Sequence, residues 1–104
     1  MSSRTPDLEA AHASLPALAS RYVDVPALPW KASRFPGVEI KVLMEDPVTG
    51  LQTVLTRMAP GAVLTDHMNV AIEQTWVLEG SLVDHGGEAK AGTYVWTPAG
   101  SQHA

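Results

Sequence analysis

An all-β fold, a small sandwich or barrel of short strands, is what this chain predicts, and three observations carry that expectation. Short runs rich in apolar and β-branched residues recur from Val38 onward. Glycine and proline punctuate them at near-regular spacing, the pattern of antiparallel strands joined by tight turns. No long amphipathic helical period competes with it. The chain has 104 residues, 45% of them hydrophobic, which is enough for one core and not two.

Taken in order, residues 7–20 are rich in alanine and predict a short helix that Pro16 interrupts. Residues 24–37, DVPALPWKASRFPG, hold three prolines and a glycine. They predict extended, irregular chain, with Trp30 pinning it to the sheet. VEIKVLME, residues 38–45, alternates, with Val38, Ile40 and Val42 on one face and Glu39 and Lys41 on the other. DPVTG, residues 46–50, is a turn, and LQTVLTRM, residues 51–58, is the return strand. After Pro60-Gly61, short strands are expected over 62–69, 74–79 and 81–84. Gly86-Gly87 marks a hairpin. TYVWT follows the turn at Ala91-Gly92, and Pro98-Ala99-Gly100 turns the chain again.

Composition removes several function classes. There is no cysteine, so disulfides, thiolate metal sites and cysteine nucleophiles are excluded. A metal here takes His, carboxylate, amide or water ligands. The net charge is -4, and the seven Lys and Arg residues are scattered over 4, 21, 31, 34, 41, 57 and 90. No basic stripe exists to follow phosphates, so nucleic acid is not an expected partner. No apolar run approaches membrane-spanning length. Asp7 and Glu9 precede any apolar stretch, which argues against a secretory signal and for a cytoplasmic location.

The chemistry concentrates in LTDHMNVAIEQTWVLEG, residues 64–80. Side chains on a strand alternate faces, so His67 and Asn69 share a side, and Glu73 returns to that parity. His103 arrives at a strand start after Gly100. A divalent ion needs several ligands delivered from separate strands, and the inside of a small barrel is where strands deliver them. Asp66 and Gln74 have the opposite parity and are expected to face away. His85 beside the glycine pair reads as a turn residue, and His12 as incidental. Trp76 and Trp96 read as core or pocket lining. Glu79 and Asp84 read as solvated strand ends.

Two spaced patterns then meet a known family. Gly61, His67, Asn69, Glu73 and Gly80 stand at the spacing of the first cupin motif, with asparagine where that family usually has histidine. Gly92, Pro98, Gly100 and His103 resemble the second motif, whose usual final asparagine lies beyond residue 104. The resemblance spans residues 38–104, and the lead-in is similar to the cupin domains of zinc-binding anti-sigma factors and of diketone-cleaving dioxygenases.

The resemblance implies a cupin-type double-stranded β-helix, a small β-barrel of the RmlC-like kind. It also implies a metal site of His67, Asn69, Glu73 and His103. The expected division is an N-terminal extension over 1–20 and a single cupin domain over 21–104. Cupin barrels have strands beyond the second motif, so the barrel is expected to be incomplete at the C-terminus or completed by other segments. Its edges favour a homodimer.

Three functions follow from that site. In the first, Fe(II), or Zn, Mn or Ni, sits on His67, Glu73 and His103, a two-His-one-carboxylate set. The protein is then a dioxygenase for a small oxygenated substrate such as a β-diketone, with Val63, Val77 and Trp96 walling the pocket. In the second it is a zinc-holding or small-ligand-binding regulatory module without chemistry. In the third it is a metal-free cupin, which Asn69 supports.

Overall fold

The computed structural model describes residues 3–64, 67–68, 71–84 and 86–103, with 67, 68, 102 and 103 described by their strand placement. It divides into two compact units, residues 1–62 and 63–104. The architecture is all-β apart from short helical turns. No helix among the described residues is long and apolar enough to cross a membrane.

The first unit is built on a three-stranded antiparallel sheet of β1 (Lys31–Ala32), β2 (Val38–Glu45) and β3 (Gln52–Met58), in the order β1-β2-β3. The turn between β2 and β3 has the chemistry its Asp-Pro start implies. Asp46 Oδ1 accepts the N–H of Val48 at 2.9 Å and of Thr49 at 3.3 Å, and the Gly50 N–H donates to the Asp46 carbonyl at 2.7 Å. The β2–β3 register shifts between Val42 and Met44. Leu43 is the extra residue of a β-bulge, which the strand pattern alone did not signal.

On the polar side of β2 the lysine is covered, while the Glu39 side chain is 44% exposed. Lys41 is only 5% exposed. Its Nζ donates to the Val25 carbonyl at 2.8 Å and lies 4.7 Å from the centre of the Trp30 ring. The Arg57 guanidinium stacks on the same ring at 4.3 Å and pairs with Glu39 at 2.8 Å. Trp30 therefore does pin the lead-in, by holding its ring against two cations, one from β2 and one from β3.

The alanine-rich start forms less helix than its composition implies. A 3-10 turn at Pro6–Leu8 leads into α1 (Glu9–His12), a single turn of helix. Beyond it only isolated turns persist, at Leu15 and Ala19. Pro16 cannot donate to a continuing helix, and so short a helix is marginal without packing.

The second unit pairs its strands two by two. β4 (His67–Met68) pairs with β9 (Gln102–His103), β5 (Glu73–Trp76) with β8 (Tyr94–Thr97), and β6 (Ser81–Asp84) with β7 (Gly87–Lys90), all antiparallel. The hairpin expected at Gly86-Gly87 is present, with Asp84 opposite Gly87 and the Asp84 carboxylate accepting the Gly86 N–H at 2.8 Å. Two expected strands are shorter than their apolar runs. Ala62 to Leu64 is not strand, and β5 stops at Trp76. Val77 is buried, and beyond β5 its N–H bonds the Thr93 carbonyl while its carbonyl takes the Gly92 N–H.

Candidate metal centre

Each proposed ligand lies on or beside the two longest-range pairings of the second unit. β4–β9 sets position 67 directly opposite position 103. Opposed positions of an antiparallel pair lie about 4.5–5.5 Å apart at Cα. β5–β8 sets Glu73 opposite Thr97. Between the two pairs the chain is equally long on each side, four residues from 69 to 72 and four from 98 to 101. The two pairings therefore stay numerically in step, though they belong to separate sheets. Asn69 lies outside the described residues, as do the side chains of His67 and His103, Asp66 and His85.

Geometry adds a requirement that parity alone omits. Six residues of straight strand span about 20 Å, too far for Glu73 to share an ion with position 67. A shared site needs the chain to turn a corner between them. The sheet breaks at that level, with a bend at Ala71 on one side and the Pro98–Gly100 turn on the other. The Ser101 N–H closes that turn on the Pro98 carbonyl at 3.2 Å, and Gly100 takes φ +85. A side chain at that φ clashes with its own backbone, so the glycine of the second pattern is a corner residue.

Glu73 is half-buried, on the face it shares with Thr75, Val95 and Thr97, which are also half-buried. The opposite face carries Gln74, Trp76, Tyr94 and Trp96. It is open to solvent, with Trp76 66% and Trp96 58% exposed. Tyr94 Oη donates to Gln74 Oε1 across it at 2.7 Å. This corrects the reading of both tryptophans as core or pocket lining. Their size argued for burial, but the pleat sends them to the side away from Glu73. It also removes Trp96 from the expected pocket wall. Val63 is exposed as well, leaving Val77 as the buried member of that wall. Gln74 does face away from Glu73, as its parity required, and Glu79 and Asp84 are exposed.

Among the described residues, no group of three His, Asp or Glu side chains gathers to hold a metal. The donor chemistry still suits a divalent ion. Two imidazoles, a carboxylate and an amide oxygen are ligands that zinc or a first-row transition metal accepts.

No curated protein matches the chain. A family model, the ChrR Cupin-like domain, matches residues 18–104. That match takes in both glycine-bounded patterns and the lead-in with Trp30, and leaves most of the N-terminal extension outside it. The chain belongs to the ChrR cupin-like family, a cupin family found in anti-sigma factors.

Proposed function

We propose that this chain is a divalent-metal-holding cupin module that binds a small oxygenated ligand. His67, Glu73 and His103 hold the ion, and Asn69 stands beside them as a weak fourth donor. The observation that carries this reading is the register that opposes positions 67 and 103 and stays in step at Glu73. ChrR-type cupin domains are associated with zinc binding, which favours zinc and a regulatory role.

Charge defines the ligand class. Two neutral imidazoles, one amide and one carboxylate leave a divalent site with a net charge of about +1, which suits an anionic carboxylate or enolate. A bound ion would supply Lewis acidity and orient the oxygens of that ligand. The chain's part is to keep both imidazoles neutral and to present Glu73 from its half-covered face. Thr75, Val95 and Thr97 line that face beside it.

The second reading is an Fe(II) dioxygenase acting on a β-diketone in a cytoplasmic homodimer. The composition of the donor set favours it, since two histidines and one carboxylate leave open positions for substrate and oxygen.

Elemental analysis of protein purified without chelator tests both. Stoichiometric metal is expected, lost in His103→Ala and released in acid, because imidazole must be neutral to coordinate. Zinc without oxygen uptake supports the module. Iron with uptake on a diketone panel supports the enzyme. Protein free of metal overturns both and leaves a metal-free cupin.

A further inference from the structure

The loop between β1 and β2 builds a cleft wholly within the first unit. The Ser33 N–H donates to the Val38 carbonyl at 3.0 Å, and the Val38 N–H donates to the Phe35 carbonyl at 3.2 Å. The Ser33 hydroxyl accepts the Phe35 N–H at 3.1 Å. Gly37 completes the turn at φ +75, and its carbonyl accepts the Ala59 N–H at 2.8 Å. A Cβ at Gly37 would lie 3.2 Å from that of Ala62 and 3.5 Å from that of Ala59. The loop is therefore tied to itself and packed against the chain that leaves β3, so the cleft is preformed.

That cleft holds about 610 Å³, within the ~300–1,000 Å³ of small-molecule sites. Most of its lining is apolar. Val38 is buried, Phe35 and Met58 are half-buried, and Pro36 and Pro60 are exposed beside them. Two charged residues, Glu39 and Arg57, share the lining. Arg57 donates from Nε at 3.2 Å and from Nη2 at 2.8 Å, and both bonds land on Glu39 Oε1. Among the described residues, Glu39 Oε2 and Arg57 Nη1 form no bond, and both side chains remain open to solvent. The Trp30 ring, 4.3 Å from the guanidinium, holds it from a second direction. The pair is thus fixed in place before any ligand arrives, which lowers the ordering cost of binding.

We propose that this cleft binds a small zwitterion on an apolar body, an apolar α-amino acid being the simplest case. Charge complementarity selects it. An acceptor oxygen beside a donor nitrogen matches an ammonium beside a carboxylate. The ammonium donates to Glu39 Oε2, the carboxylate accepts from Arg57 Nη1, and the side chain lies against Phe35, Val38 and Met58. A ligand with only the negative charge is repelled by Glu39, and one with only the positive charge by Arg57. A peptide terminus carries one of the two charges, so the pair favours the free amino acid over a chain end.

The test titrates the isotope-labelled full chain with L-leucine and follows its backbone amide resonances. EDTA is present throughout, which makes the outcome independent of any metal in the second unit. Saturable shifts are expected at residues 33–39 and 57–60, with a Kd on the order of 1 mM. Leucinamide lacks the carboxylate and 4-methylpentanoate lacks the amino group. Each is expected to bind about tenfold more weakly, through loss of one charge-assisted hydrogen bond. Glu39→Gln and Arg57→Gln are expected to lose about tenfold in affinity for L-leucine, while Glu9→Gln, outside the lining, binds as the parent does. The two analogues read the unaltered chain, so the test stands even where a variant fails to fold. Absence of saturable shifts in those two segments overturns the proposal. So does either analogue binding as tightly as L-leucine, since the charged pair would then take no part in recognition.

Discussion

Trp30 is the residue whose loss the structure prices most directly. Its ring faces Lys41 Nζ at 4.7 Å and the Arg57 guanidinium at 4.3 Å. A cation on an indole face is worth about 0.5–1 kcal/mol when exposed and about 2 when desolvated. Lys41 is buried and Arg57 is exposed, so the two contacts together supply roughly 2.5–3 kcal/mol. Trp30→Leu keeps an apolar side chain of fair size but has no ring. Urea unfolding followed by far-ultraviolet circular dichroism should therefore show a loss near 2.5 kcal/mol, with Trp30→Phe falling between the two. A double-mutant cycle with Lys41→Met isolates the buried contact, for which about 1.5–2 kcal/mol of coupling is expected. A coupling below about 0.5 kcal/mol would refute the reasoning. Trp30 would then act by bulk alone, and the Lys41 ammonium would be held by the Val25 carbonyl without help from the ring.

Two further outcomes follow from the second unit. Trp76→Ser removes an aromatic that is 66% exposed, so stability should change by less than about 1 kcal/mol in the same assay. A core tryptophan would cost about 3–5 kcal/mol, and a loss of that size would restore the buried reading. Gly100→Ala places a side chain at φ +85 in the corner turn. It should cost about 1–2 kcal/mol and lower metal occupancy, whereas Gly86→Ala, in the β6–β7 turn, should leave occupancy unchanged.

The fold was legible wherever a side chain decides its own local structure. Asp46 and Pro47 specify the turn, the alternation of β2 specifies its pleat, and Gly86 with Gly87 specify the hairpin. What escaped depends on a second segment arriving. The alternation of Lys41 with Ile40 says that they point apart. It does not say that Val25 and Trp30 cover the lysine, because coverage is set by chain some 11 to 16 positions earlier. The Leu43 bulge is invisible for the same reason, since it is defined by β3 and relieved by Thr5, whose Oγ1 donates to the Leu43 carbonyl. In the second unit the motif spacing named the family before any pairing was known. The tryptophans misled because residue size is a weaker guide than parity. Gln74 was assigned outward by parity, and Trp76 and Trp96 share its face.

That face assignment limits what the candidate centre can use. The β5–β8 pair has two sides, and Glu73 owns the one built from Thr75, Val95 and Thr97. Two hydroxyls and one small apolar side chain make a polar, shallow lining. It suits a small oxygenated anion that hydrogen-bonds beside the ion more than a large apolar diketone gripped by tryptophan. The aromatic side, where Tyr94 bonds Gln74, faces away from Glu73 and so from a ligand held beside it. Discrimination between the regulatory and oxygenase readings therefore rests on the proposed donor set, in which Asn69 stands at the position where the first cupin motif usually has histidine. In that proposal one strong nitrogen ligand fewer would leave a coordination position open, and an open position would serve a sensed ligand as well as oxygen. The choice would fall to whichever metal the proposed site is found to hold, because zinc has no redox chemistry and iron does.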